Sequence, residues 1–195
     1  MKKAMVDYMK NEKFDDLYTP VYAIEPLLKY LPKKKMTIWE CCDSGVSNIT
    51  KVLKNIGHDV ISTDIKTGFN FLTDKPDFDF DIIITNPPYS LKNKFIKKCY
   101  EYSKPFALLL PIHTLEGIER GKMFKKHGIS LIVLDKRINF VENKKGCWFN
   151  TSWFTWQLDE GNKLYFEEVI QNCCGCFASE FLEKWDGTPC VIKKG

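Results

Sequence analysis

Apolar residues in this chain change period several times, and from residue 36 to about residue 135 short apolar runs alternate regularly with longer helical repeats. Met36-Thr37-Ile38-Trp39-Glu40-Cys41 reads as a first strand. Within residues 47–56, Ile49, Val52, Leu53 and Ile56 recur at helical spacing, and Gly57 stands where a helix commonly closes. Residues 59–64 read as a second strand ending on an acid, and a short third strand is expected at Asn70-Phe71-Leu72. Asp81-Ile82-Ile83-Ile84-Thr85 has the unbroken apolar character of a strand buried on both faces. A helix over 91–103, a strand over 105–110, a helix over 115–126 and a strand over 129–135 continue the series. Residues 151–158, rich in Trp and Phe, read as a strand able to pair antiparallel with 129–135 across the loop 137–150. Upstream, a helix over 21–31 is introduced by Tyr18-Thr19-Pro20, with Pro20 suited to its first turn. Residues 166–171 and 178–184 are further helical candidates.

This alternation predicts an α/β fold with a Rossmann-like sheet, mostly parallel, with one antiparallel strand near the C-terminal end. The 195 residues suffice for one domain with a substantial core and leave no room for a second. Hydrophobic content of 44% and charged content of 28% are ordinary for a folded protein and argue against disorder. Met1 to Asp7 leads into polar residues rather than an export signal, and no run approaches the roughly eighteen apolar residues of a membrane span, so a cytoplasmic protein is expected. The eight cysteines then read as reduced thiols. Cys173, Cys174 and Cys176, with Cys190 further on, fall short of two tight ligand pairs, and no metal is expected. The net charge of +4 is unevenly spread: residues 90–126 hold nine Lys or Arg against three Glu. Such a segment either attracts polyphosphate or forms the solvated faces of two helices.

The sharpest chemical signal is Asn86-Pro87-Pro88-Tyr89 directly after the buried strand, because residues just past the carboxyl ends of parallel strands line the ligand crevice. Consecutive prolines stiffen the turn and give the Pro87 carbonyl a set direction. The Asn86 side-chain oxygen and that carbonyl are two acceptors able to hold both hydrogens of an –NH₂ group, while Tyr89 offers a face on which a planar base can stack. Accepting both hydrogens favours the pyramidal nitrogen that develops during attack on a methyl sulfonium. His113 and Thr114, after the strand over 105–110, can approach the same place; His58 and His127 read as surface residues.

At these residues the sequence resembles the class I S-adenosylmethionine (SAM)-dependent amino-methyltransferases that carry an Asn-Pro-Pro-Tyr motif, and among them the small phage-type adenine-N6 DNA methyltransferases. The resemblance runs from about Tyr18 to Leu158. It implies one methyltransferase domain over 1–195, with 18–158 as its core and 159–195 as an extension of unassigned role. It implies SAM as cofactor, with Tyr18, Thr19 and Pro20 on its methionine part, the loop Glu40-Cys41-Cys42-Asp43-Ser44-Gly45-Val46-Ser47 beneath it, and Asn70 and Phe71 at its adenine, Asn70 standing where Asp is usual. Asp64, 19 residues beyond Gly45 at the end of the second strand, has the position of an acid that accepts hydrogen bonds from ribose hydroxyls, with Ile65 beside it. Asn86, Pro87, Pro88 and Tyr89 would be catalytic, and Trp153, Phe154 and Trp156 match a late aromatic strand that can equally be plain core. One departure stands out: Asp43 occupies a position where the family has glycine. A side chain there is expected to crowd the cofactor or demand an unusual backbone angle, and so to weaken binding.

The expected reaction is N-methylation of adenine N6 in DNA with loose or short sequence specificity, in a bacterial cell or phage-infected host. Lys92, Lys94, Lys97 and Lys98, which follow Tyr89, would hold the phosphate backbone. An RNA base or a protein glutamine offers the same –NH₂ group and is an alternative acceptor. A binding protein degraded at Asp43 is a further alternative, against which the intact Asn86 to Tyr89 stands.

Overall fold

The computed structural model describes residues 19–140 and 150–169. Four helices, α1 (Val21–Leu28), α2 (Asn48–Asn55), α3 (Lys92–Tyr102) and α4 (Ile118–His127), accompany seven strands within these residues. The strands are β1 (Thr37–Glu40), β2 (Asp59–Ser62), β3 (Ile82–Thr85), β4 (Phe106–Pro111), β5 (Ser130–Leu134), β6 (Thr151–Trp156) and β7 (Leu164–Glu167). They form one sheet in the order β2-β1-β3-β4-β6-β5-β7. Neighbours are parallel except at β6, which runs antiparallel to both β4 and β5 and sits between them. The α/β sheet with one late antiparallel strand is the fold expected from the alternation of apolar runs.

Strand residues alternate between two cores, as the period of two requires. Ile38, Ile82, Ile84, Leu109, Ile132 and Trp153 face one side, against Ile24 and Leu27 of α1 and Val52 and Leu53 of α2. Trp39, Ile83, Leu108, Leu131 and Phe154 face the other, against Phe95, Ile96 and Cys99 of α3. With both faces covered, every residue of β3 is buried, which explains its continuous apolar sequence. Trp153 and Phe154 are core, while Trp156 is only partly buried and donates its indole N–H to the His127 carbonyl at 2.8 Å.

Several expectations need correction. Asn70-Phe71-Leu72 is a turn, not a strand: the Asn70 side-chain oxygen accepts from Leu72 N at 3.0 Å, and Asp74 accepts from Asn70 N at 2.8 Å. These local bonds supply what a sheet ladder would have supplied. The helix expected at 166–171 is replaced, over its described residues, by β7, whose Tyr165 packs against Tyr30 and whose Glu167 accepts from Tyr30 Oη at 2.6 Å. The sheet thus continues past residue 158. The helix expected from 115 begins at Ile118, because the chain first makes a tight turn over Ile112–Leu115. His58 is buried, its Nδ1 accepting from Met36 N at 3.3 Å, and His127 stacks on Tyr100 at 4.6 Å, so neither is a free surface group. The candidates at 178–184 and the cysteines 173, 174, 176 and 190 lie outside the described residues. Among the described residues no helix is long and apolar enough to cross a membrane, and no cluster of His, Cys, Asp or Glu is arranged to hold a metal.

Candidate functional site

A cleft of about 440 Å³ opens at the carboxyl ends of β1, β2 and β3. Of the residues expected at a cofactor or in catalysis, Thr19, Glu40, Asp64, Ile65, Asn70, Phe71, Asn86 and Pro88 line it. Pro20, Cys41, Gly45, Pro87 and Tyr89 belong to the same segments but do not line it, and Tyr18 lies outside the described residues. The cleft also takes in Cys42, Asp43, Ser44 and Ser47 of the loop expected beneath the cofactor, together with residues not singled out from sequence, among them Lys66, Leu91 and Phe95. Phe95 carried a legible signal, since it lies one helical turn beyond Leu91 on the helix that follows the Asn-Pro-Pro-Tyr turn.

Glu40 ends β1 and is only 2% exposed. It accepts from the Thr85 hydroxyl at the end of β3 and from Cys42 N at 3.1 Å. Burial pushes its carboxyl up to about 8; the two hydrogen bonds oppose the rise, and the negative charges of Asp43 and Asp64 add to it. Burial therefore favours the neutral form of Glu40, and a cationic group placed beside it would draw off the proton.

Asp43 lines the cleft and does not take the unusual backbone angle that was one of the two expectations for it. It is 3% exposed, and the non-glycine residues with positive φ among those described are Ser103 and Gln157, so Asp43 is under no such strain. Its carboxylate organises the loop. Oδ1 accepts from Val46 N at 3.0 Å and Ser47 N at 2.9 Å, and Oδ2 from Thr50 Oγ1 at 2.6 Å and Ser62 Oγ at 3.3 Å. Burial would raise the carboxyl, but these bonds outweigh it and hold it below its ordinary value. Ser47 then caps α2 by accepting from Thr50 N at 3.1 Å. Gly45, at φ 94°, supplies the left-handed backbone that lets the loop turn within this bonding pattern.

Asp64 caps the short turn Ile65–Thr67, accepting from Lys66 N at 2.6 Å while its own N–H donates to Thr67 Oγ1 at 3.2 Å. The carboxylate is thereby oriented, and its several lone pairs allow it further donors. Phe71 is buried and stacks on Phe95 with centroids 4.9 Å apart and planes 14° from parallel, giving the cleft a flat apolar wall.

Two buried oxygens in the lining, Asn86 Oδ1 and Thr19 Oγ1, have no hydrogen-bond partner among the described residues. Thr19 is fixed through its carbonyl, which accepts from Asn48 Nδ2 at 3.0 Å. Asn86 follows β3 immediately, and the prolines after it lead into a tight turn over Tyr89–Leu91, closed by Leu91 N donating to Pro88 O at 3.0 Å. Lys92 Nζ donates to the Tyr89 carbonyl at 3.1 Å, so this lysine reinforces the turn. On the same helix Lys94 and Lys97 are exposed, whereas Lys98 lies over the Tyr102 ring at 5.3 Å. His113 is held below its ordinary value by burial and by the cations of Lys92 and Arg120, and Thr114 next to it is buried.

No protein-family model and no curated protein sequence matches the chain. Solved structures do. A type I restriction-modification methyltransferase subunit from Streptococcus thermophilus superposes with a TM-score of 0.50 over 78% of this chain and 47% of its own, at 16% identity. The modification subunit assigned to a type I restriction enzyme of Vibrio vulnificus gives 0.51 over 89% and 51%, at 12% identity. A protein assigned as an RNA methyltransferase in Pyrococcus horikoshii gives 0.52 over 80% of this chain and 97% of its own, at 15% identity. The fold is a methyltransferase fold. This chain spans about half the length of the two modification subunits and nearly the whole length of the Pyrococcus protein.

Proposed function

We propose that this protein is a SAM-dependent N-methyltransferase whose acceptor is N6 of adenine in DNA. The observation that carries the reading is Asn86 Oδ1, an acceptor buried in the cleft at the end of a central parallel strand, with no partner among the described residues. A buried polar atom left unpaired costs about 1–3 kcal/mol, which a ligand donor offsets. An –NH₂ group supplies such a donor.

The cleft fits SAM. Thr19 Oγ1 is a second unpartnered group, Glu40 suits the cationic end of an amino acid, the oriented Asp64 suits ribose hydroxyls, and Phe71 with Phe95 suits a planar base. SAM, when bound, supplies an electrophilic methyl group. Asn86 accepts one hydrogen of the acceptor amine, pulls the nitrogen toward the pyramidal form and orients its lone pair; the nitrogen's surplus proton is acidic only after methylation and leaves to water. The same chemistry serves an RNA base, and the nearly full-length superposition on the Pyrococcus protein favours RNA as the second reading. Two fold neighbours belong to restriction-modification systems, which supports DNA. We take residues 1–195 as one domain in a cytoplasmic protein.

Transfer of labelled methyl from SAM to separate DNA, RNA and protein pools tests the assignment. N6-methyladenine after nuclease digestion of the DNA is the expected product; label confined to RNA, protein or cytosine N4 overturns the substrate. Asn86→Ala is expected to lower turnover about 100- to 1,000-fold while SAM still binds. Turnover near wild type would remove Asn86 from the mechanism.

A further inference from the structure

β7 is the last strand of the sheet, paired on one side with β5 and with no strand beyond it among the described residues. Its backbone groups alternate in direction. Lys163 O accepts from Leu131 N at 2.8 Å and Glu167 O from Asp135 N at 3.0 Å, so Lys163, Tyr165 and Glu167 turn their peptide groups toward β5. The N–H and C=O groups of Leu164 and Phe166 therefore point out from the edge. The side chains alternate as well. Tyr165 and Glu167 lie on the face of α1, against Tyr30 and Lys29. Leu164 and Phe166 lie on the opposite face beside Leu131 and Val133 of β5, and they are 58% and 75% exposed. An open edge whose outward-turned residues are also exposed and apolar is a template for another strand.

The strand that fits this template is β7 itself. Two copies can pair antiparallel about a two-fold axis perpendicular to the sheet, which must pass through a residue because facing side chains share a face. With the axis at Tyr165, Leu164 faces Phe166 of the second copy and Lys163 faces Glu167. Leu164 and Phe166, the residues with outward backbone groups, then exchange their hydrogen bonds at both symmetry-related places. Moving the axis to Leu164 sets Glu160 against Glu168, moving it to Phe166 sets Leu164 against Glu168, and moving it to Glu167 brings two carboxylates together. One register joins apolar with apolar and base with acid, and its neighbours do not. We infer that β7 pairs antiparallel with β7 of a second copy, with Tyr165 on the axis, so that one sheet runs through a symmetric dimer. The inference is independent of the proposed reaction. The cleft lies at β1, β2 and β3, toward the far end of the strand order, and the axis turns the two clefts to opposite edges of the joined sheet.

So short an edge makes a small interface, and reversible association of the full chain is expected over about 1–100 µM, read by sedimentation. The Leu164→Lys, Phe166→Lys double variant should raise the dimer dissociation constant at least about 100-fold. Both side chains are exposed, so its urea midpoint in dilute protein should stay near that of wild type. A second experiment tests the register. Leu164→Cys mixed with Phe166→Cys should give an intermolecular disulfide between these positions under mild oxidation, identified by peptide mass, because the α-carbons of a hydrogen-bonded pair lie about 5.5 Å apart. Neither variant alone should give one at its new cysteine. Wild type that stays monomeric throughout overturns the pairing, and slow hydrogen exchange at Leu164 and Phe166 in that monomer assigns the edge to another part of the same chain. A dimer that the double variant leaves intact has its contact elsewhere and overturns the pairing too. A disulfide in either single variant with none in the mixture overturns the register. Neither experiment reads methyl transfer, so a failed dimer leaves the proposed reaction standing and a failed reaction leaves the dimer standing.

Discussion

Replacing Asp43 by glycine is expected to weaken both the fold and cofactor binding. The carboxylate serves four donors. On truncation, the Thr50 and Ser62 hydroxyls can still bond each other across 3.0 Å, but the Val46 and Ser47 N–H groups lose their acceptor. Two orphaned donors at about 1–3 kcal/mol each, reduced by water entering from the cleft, give a loss near 3 kcal/mol for Asp43→Ala, with about 0.5–1 kcal/mol more for Asp43→Gly from added chain freedom. With a urea slope of about 3 kcal/mol per molar, the midpoint should fall by roughly 1 M. A loop that must be reordered when SAM binds should raise Kd roughly tenfold, which calorimetry reads directly. Asp43→Asn keeps an oxygen for the two N–H groups but loses the charge, and should cost less than either truncation. It should also change the acid limb. The folded carboxyl lies below its ordinary value of 3.8, so its contribution is present above that pH and lost as pH falls through the lower folded value, and the Asn variant lacks this decline. An unchanged midpoint, or tighter SAM binding by Asp43→Gly, would refute the bracing role and restore the crowding argument.

Glu40 should show the opposite pH behaviour. Its folded carboxyl is raised from 4.5 to about 8, so its favourable contribution is complete below pH 4.5 and is lost as pH rises toward 8, at up to about 1.4 kcal/mol per unit. Urea midpoints at pH 5, 7 and 9 should therefore fall more steeply in wild type than in Glu40→Gln, and parallel lines would remove Glu40 as the source. Among the lysines, the exposed Lys94 and Lys97 should carry the salt dependence of DNA binding, whereas Lys98 is drawn toward Tyr102. The Lys94→Glu, Lys97→Glu variant should bind more weakly with a shallower slope of log affinity against log salt; an unchanged slope would leave these residues as a solvated helix face.

What the sequence disclosed depended on whether the deciding interactions were local. β3 and the turn after it were legible because continuous apolar character and paired prolines act within a few residues. β7 was not: Leu164-Tyr165-Phe166-Glu167 is short, and its place at the edge of the sheet depends on Tyr30 and Lys29, over 130 positions away. The bracing role of Asp43 was hidden for a related reason, since its carboxylate finds partners as distant as Ser62. Asn93 and Arg120 gave no signal at all, because their pairing joins two helices with a strand between them.

Asn70 and Asn86 make the limit concrete. Both line the cleft, and sequence gives each an amide with the same donors and acceptors. Asn70 Oδ1 accepts from Leu72 N two residues on and so helps close a turn. Asn86 is followed by two prolines, which have no N–H to offer, and the corresponding local bond cannot form. Its oxygen is left buried and without a partner among the described residues. The motif therefore does more than stiffen the turn: by withholding the nearest donors, Pro87 and Pro88 keep an acceptor available that any other pair of residues would tend to satisfy. In the proposed reaction a ligand amine would meet an oxygen already desolvated and already held at the end of β3, which is the preorganisation that methyl transfer to a weakly nucleophilic nitrogen requires.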